Sequence, residues 1–269
     1  MGRIPHPILM KFSIITPSYN QGRFLPDCVE SVLSQTGVEV EHIVIDAGST
    51  DETLEVLTRY THLNWTSEPD KGMSDGINKG FATATGDLVM WLNCDDYLLP
   101  GALAKVASFI AANPGADVVH GDCVFSNADK RPIRRKFDHP LGELVLLYTG
   151  CYIPSTATFF RREIIEAGHL LDTSYKVCMD WEYYLRLLRL EYRFEYIPQA
   201  LAGFRWHGEN TSMVQKSRGE REALELQREH ILATHRPSWL AHPLVLKGMR
   251  QVFRTARVAK RFRAHRRFF

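Results

Sequence analysis

Three short apolar runs that each break off on polar residues constrain the fold of this chain more than any other feature. They are "KFSIITPSYN" (Lys11–Asn20), "VEHIVIDAGS" (Val40–Ser49) and "DLVMWLNCDD" (Asp87–Asp96). β-Branched and aromatic residues mark them as strands. Between the first two lies "RFLPDCVESVLSQT", with Leu25, Val29, Val32 and Leu33 at helical spacing and Pro26 suited to a first turn. Strands alternating with helices predict a parallel, doubly wound α/β sheet with right-handed crossovers. Ligands of such sheets bind at the carboxyl ends of the strands, where "TPSYN", "DAGS" and "NCDD" fall.

The alternation continues. Ser49 and Glu52 form a plausible capping box for "TDETLEVLTRY", and "LNWTSEP" reads as a third short strand. "DKGMSDGINKGFATATG" reads as a loop and helix, "GALAKVASFIAANPG" as a helix, and "ADVVHGDCVF" as a strand. Beyond about residue 125 the pattern loosens, leaving "MDWEYYLRLLRL" as the clearest helix. The expected division is a catalytic unit over residues 1–230, with halves at about 11–125 and 126–230, followed by an extension over 231–269.

That extension is set apart by charge. The first 230 residues hold 23 basic and 31 acidic side chains, whereas the rest hold ten basic and no acidic ones. "LVLKGMRQVFRTARVAKRFRAHRRFF" places Val252, Phe253, Val258 and Phe262 among regularly spaced arginines. This composition suits a basic amphipathic helix on an anionic lipid surface; a helix packed on the acidic body, or a disordered tail, would share it. No apolar run reaches the roughly 20 residues that span a bilayer. "MGRIPHPILMKF" is too short and Pro-broken for a secretory signal, and His6 stands where myristoylation wants Ser or Thr. Five cysteines without a C-x-x-C pair read as free thiols of a reducing compartment. The expectation is a cytoplasmic protein, peripheral at the inner face of the cell membrane.

Asp95 and Asp96 end a core strand with adjacent carboxylates. They either take a hard divalent cation such as Mg²⁺ or Mn²⁺, or form a solvated turn in which Asp96 caps the next helix. Asp46 either contacts a base or ribose or makes an ordinary Asx turn. Asp180, at the start of its helix, is either a first-turn acid favoured by the helix dipole or a general base. His207, in "FRWHGENTS", is a structural histidine, a metal ligand or a diphosphate partner. Neither G-x-G-x-x-G nor G-x-x-x-x-G-K-[ST] is present, which argues against dinucleotide and P-loop binding.

Taken together, "FSIITPSYNQGRFLPDCVESVLSQT", "VIDAGSTDET", "SEPDKGMSDGINKGFATATGDLVMWLNCDD" and "MDWEYYLRL" closely resemble the family 2 inverting glycosyltransferases. The resemblance runs in order over about residues 11–210 and is closest to bacterial members that build surface polysaccharides. It implies a GT-A fold, with a mostly parallel, mixed sheet covered by helices on both faces. It also implies roles for particular residues. Thr16, Pro17 and Tyr19 would line the base pocket, and Asp46 would read base or ribose. Lys71 and Asp75 would flank the donor sugar, and Asp180 would be the catalytic base. Asp95 and Asp96 would serve ribose and the diphosphate-bound Mn²⁺ or Mg²⁺, with His207 near the metal. Ala47 replaces a common second carboxylate. Asn93 stands where the metal motif often begins with Asp, adjoining the donor but leaving the ligands to Asp95, Asp96 or both.

The expected activity is therefore metal-dependent, inverting transfer from a nucleoside-diphosphate sugar, UDP by preference, to a glycan or lipid-linked acceptor. No nucleic-acid partner is expected. A nucleotidyltransferase making a nucleotide sugar would want a phosphate loop after the first strand, which "TPSYNQGRF" matches poorly. A non-catalytic carbohydrate-binding module would leave the ordered carboxylates unexplained.

Overall fold

The structure, a computed structural model, describes residues 9–265. The expected absence of a signal or lipidation site falls largely on residues 1–8, outside the described residues, as do Arg266 and Arg267 of the tail. In chain order the elements are β1 (Lys11–Ser18), α1 (Leu25–Leu33), β2 (Glu39–Asp46), α2 (Thr53–Thr58), β3 (Asn64–Ser67), α3 (Met73–Thr83), β4 (Leu88–Trp91), β5 (Tyr97–Leu98) and α4 (Ala102–Ala112). The second half adds β6 (Val118–Ser126), β7 (Pro132–Lys136), α5 (Glu143–Thr149), β8 (Thr158–Arg161), α6 (Arg162–Glu166), α7 (Met179–Arg189), β9 (Phe194–Arg205), α8 (Thr211–Val214), α9 (Lys216–Ala233) and α10 (Pro243–His265).

One sheet runs β3-β2-β1-β4-β8-β6-β9-β5, with β7 paired to β6. Strands β3, β2, β1 and β4 are parallel, as the alternation predicts. Beyond β4 the sheet is mixed, because β8 is antiparallel to both β4 and β6 while β9 is parallel to β6. Strands β1, β2, β4, β6 and β9 therefore aim their carboxyl ends at one edge, and β8 brings its amino end there. The chain order reverses between β1 and β4, the switch point where a crevice opens.

Period-two alternation assigns the two faces. Phe12, Ile14, Leu88 and Met90 pack under α1 and α4, whereas Ile15, Val89 and Trp91 face α3, α5 and α7. Trp91 stacks on Phe160 of β8, 5.4 Å away at 8°, and also meets Tyr183 and Tyr184 of α7. It joins the two halves. Gly80 lets α3 lie close on β1, since a Cβ there would come within 2.5 Å of Ile15.

The structure departs from the sequence reading at the second helix. The Ser49 hydroxyl donates to Asp46 instead of capping α2, and Asp51 accepts from Thr53 N at 3.0 Å. The division near residue 230 falls inside α9, which continues past the last acidic residue to Ala233. The tail is helical but half-committed to the body. Phe253 stacks on Tyr148 at 5.2 Å, the Arg257 guanidinium lies over Tyr152, and His265 Nε2 meets the Tyr196 hydroxyl at 2.6 Å. Leu244, Val252 and Val258 face solvent on its outer side. None of the described helices is long and apolar enough to cross a membrane, and all five cysteines are free.

Candidate active site

Three adjoining cavities follow the carboxyl edge of the sheet. The first, about 590 Å³, is an open cleft bordered by Pro17, Tyr19, Ala47, Lys71, Lys176 and Arg218. The second, about 150 Å³, lies deeper and is lined by Asn93, Asp95 and Asp180; it shares Pro17 and Lys176 with the first. The third, about 330 Å³, shares Asp180, Ser155 and Asn210 with the second. Asp95 and Asp180, 85 positions apart in the chain, thus border one space.

The turn after β4 sends its neighbouring carboxylates in opposite directions. Asp95 meets His207 Nε2 at 2.9 Å and Asn210 Nδ2 at 3.4 Å through the same Oδ2. Asp96 points into the core with 0 % exposure. It accepts the Arg205 backbone N–H at 2.8 Å and the Asn93 side-chain amide at 3.4 Å. Burial, reinforced by the charge of Asp95, pushes Asp96 well above the usual carboxylate range. A fully buried carboxylate with both oxygens engaged is not placed to ligate a cation in the cavity, so the ligand expectation narrows to Asp95 and His207.

Those two residues fit a divalent ion. The Asp95 carboxylate lines the second cavity, and the buried His207 imidazole meets it from behind at 2.9 Å; the carboxylate suits Mn²⁺ or Mg²⁺, while an imidazole ligand favours Mn²⁺ over Mg²⁺. His207 Nδ1, the nitrogen away from Asp95, makes no hydrogen bond among the described residues and lies 3.8 Å from the Glu209 carboxylate, and the ring is held against Phe24 with centroids 4.7 Å apart. No group of three or more His, Cys, Asp or Glu side chains suited to a metal exists among the described residues. Two protein ligands with the rest of the shell left to phosphate and water is the arrangement Mg²⁺ commonly takes.

Asp180 opens α7. Its carboxylate accepts the Trp181 N–H at 2.7 Å, and Glu182 turns away to pair with Arg186 one helical turn on. Burial raises the Asp180 pKa, opposed by the Trp181 N–H, the Cys151 thiol and the positive charge of Lys136. A carboxylate made more basic while still facing a cavity has the character of a general base.

Two expected nucleotide contacts face inward instead. Thr16 is fully buried and bonds His42 Nε2 at 2.9 Å, because alternation along β1 turns it away from the crevice that Pro17 borders. Asp46 is also fully buried, and four donors occupy it: Gly48 N, Ser49 N, Ser49 Oγ and Ser67 Oγ. It ties the loops after β1 and β2 together, since Ser49 Oγ in turn accepts from Asn20 N at 2.7 Å. Tyr19 is 61 % exposed at the cleft rim. Lys71 borders the cleft, while Asp75 accepts the Lys71 N–H at 3.0 Å and stays outside all three cavities, shaping the turn into α3.

Sequence reading missed Glu222 and Asn210. Glu222 of α9 accepts three successive N–H groups, from Lys176, Val177 and Cys178, at 2.8–3.0 Å. Burial pushes Glu222 up, but those donors and Arg218 outweigh it and hold its pKa low. This carboxylate fixes the segment that presents Asp180. Its only signal was an acid in an ordinary helix, more than 40 residues from its partners.

Residues 13–168 match the model of the glycosyl transferase family 2. A PGL/p-HBAD biosynthesis glycosyltransferase of Mycobacterium bovis is 33 % identical over 181 residues, covering 65 % of this chain and 68 % of its own. The structure of S. aureus TarS 1–349 in complex with UDP-GlcNAc superposes with a TM-score of 0.66 at 19 % identity, covering 95 % of this chain and 73 % of that one. The mannosyltransferase PcManGT of Pyrobaculum calidifontis, in complex with GDP-Man and Mn²⁺, gives 0.62 at 16 % identity, covering 97 % and 76 %. With its mixed sheet in the GT-A arrangement and a family match over more than half its length, the chain belongs to glycosyl transferase family 2.

Proposed function

We propose that this glycosyltransferase moves a sugar from a nucleoside-diphosphate donor, UDP-linked by preference, to a hydroxyl of a glycan or lipid-linked acceptor in polysaccharide biosynthesis, inverting the anomeric carbon. The observation that carries the reading is the shared cavity of Asp95 and Asp180, set between a cleft of nucleotide size and a second, larger chamber. Lys71, Lys176 and Arg218 border the cleft together with Asp70 and Glu209, and with Arg218 paired to Glu222 it is the two lysines that offer positive charge to a diphosphate. The UDP-GlcNAc and GDP-Man complexes of the structural neighbours support the donor class.

Pro17 and Tyr19 would border the base, and Lys71 the donor. Asn93 lies beside the reacting carbon's space. Asp95 and His207 would hold Mn²⁺ or Mg²⁺, which when bound offsets charge on the leaving diphosphate. Asn210 keeps the Asp95 carboxylate aimed. Asp180 takes the acceptor proton as the hydroxyl oxygen attacks from the face opposite the diphosphate. A base so placed contributes about 10²–10⁴-fold.

Asp180→Asn therefore abolishes transfer while calorimetric UDP affinity stays within about twofold; matching losses in both would reject the base role. The base works only when ionised. Wild-type kcat thus falls with pH through a pKa raised above the ordinary aspartate value, and an acid limb at or below that value would contradict the assignment.

The same reading treats residues 1–230 as the catalytic unit and 231–269 as a membrane-facing extension. The outer line of Leu244, Val252 and Val258, flanked by Lys247, Arg250 and Arg254, favours an anionic lipid surface. Such an arrangement places the enzyme peripherally at the cytoplasmic face.

A further inference from the structure

The third cavity has a wall made from three strands. Alternation places Cys123 and Phe125 of β6, Arg134 and Lys136 of β7, and Phe204 with Trp206 at the end of β9 on one side. Phe125 meets Phe204 edge-on at 5.4 Å and Trp206 at 5.7 Å, so aromatic surface dominates this wall. Trp206 is half-exposed, with its indole N–H directed at Met213 Sδ.

Charge in the cavity is one-sided. Among the described residues Asp180 is the only acid lining it, with two cations, Arg134 and Lys136. Lys136 donates to the Tyr152 carbonyl and acts electrostatically on Asp180. Arg134 lies over Phe125 at 4.6 Å and has no carboxylate partner among the described residues. Arg135, one position on, faces the other way and pairs with buried Asp122 at 2.8 Å. A guanidinium without a counter-ion beside an aromatic wall matches an anion carried on a ring.

We propose that the acceptor is a cyclic alcohol bearing an anionic group, phosphate or carboxylate. Its ring lies against Phe125 and Trp206, the anion pairs with Arg134, and the reacting hydroxyl points to Asp180. The inference rests on Asp180 being the base. The acceptor O–H proton passes to the Asp180 carboxylate as the oxygen bonds the anomeric carbon. The bond from that carbon to the diphosphate breaks, and its electron pair leaves with the nucleoside diphosphate. Arg134 selects the acceptor and takes no part in the bond changes.

The test titrates methyl glucoside, methyl glucuronide and glucose 1-phosphate into the full chain with UDP and Mn²⁺, followed by saturation-transfer NMR. Both anionic probes should bind about tenfold tighter than the neutral one. Arg134→Glu should remove that preference and Arg134→Lys should keep part of it, with UDP affinity and thermal midpoint unchanged in both. Trp206→Ala should weaken all three probes alike. The comparison of glucuronide with phosphate identifies which anion is preferred. Equal binding of the three probes, a preference that survives Arg134→Glu, or failure to bind any of them while UDP binds would overturn this inference and leave the donor reading standing. Failure to bind UDP itself would overturn both.

Discussion

The parallel half, from β1 to β4, and the mixed half, from β6 to β9, reach the same crevice by different means. In the first, β1 pairs with β2 without a break from Lys11–Glu39 to Ser18–Asp46, so the backbone ladder brings the strand ends together and Asp46 with Ser49 only ties the loops that follow. In the second, the β6–β9 register shifts twice near Asp122. There, side chains bonded to backbone do the positioning. Glu222 holds the segment before Asp180, and Asn78 clasps both N–H and carbonyl of Leu171. The geometry of the parallel half thus depends on continuous hydrogen bonding, whereas the segment before Asp180 depends on a few polar contacts. Single substitutions should therefore disturb the second half's chemistry before its stability.

The largest expected effect lies at the seam. Trp91→Ala empties the contact between β4, Phe160 and α7 and should cost about 3–5 kcal/mol. The loss of stability is read by urea denaturation; a loss under 1 kcal/mol would mean the halves are stabilised independently. Next come the paired carboxylates. Asp95→Asn should reduce metal-dependent turnover about 10²–10³-fold with the fold intact. Asp96→Asn should instead lower the thermal midpoint and retain the Mn²⁺ response, so the reverse pattern would exchange their roles. A smaller effect is expected at Glu222→Ala, with kcat down about tenfold and UDP affinity weakened less than kcat, because Glu222 also holds Lys176 and Arg218 at the cleft. A fall in UDP affinity larger than the fall in kcat would show that this carboxylate serves the donor cleft before the Asp180 segment. Smallest is the outer face of α10. Lys247→Glu with Arg250→Glu should reduce sedimentation with anionic liposomes severalfold without altering solution activity, and equal sedimentation would remove the lipid surface from the account.

How far these features were legible depended on how local their cause was. Strands β1, β2 and β4 announce themselves because burial on both faces demands continuous apolar runs. Strand β7, "PIRRK", is exposed and polar, and β8 spans only four residues. Strand β9 carries Pro198 internally, which ordinarily argues against a strand; it is accommodated where the register jumps from Ile197 to Ala200. The helix carrying Asp180 was readable from its apolar stripe. The inward rotation of Thr16 and the complete engagement of Asp46 were not, since both depend on partners from other elements.

The sequence by itself determined the alternation, the polar strand ends and the residue types available there, because hydrophobic period and strand-end chemistry are written in consecutive positions. It also separated the basic tail by charge alone. Only the tertiary structure decided which of two adjacent carboxylates faces the cavity, since the shorter of the two bonds that hold Asp96 inward comes from the N–H of Arg205, 109 residues away. Tertiary structure likewise brought His207 to Asp95 and divided α10 into a packed side and an exposed one. Side-chain direction at a strand end is set by whichever distant donor satisfies it, and a buried charge without such a donor is too costly to remain.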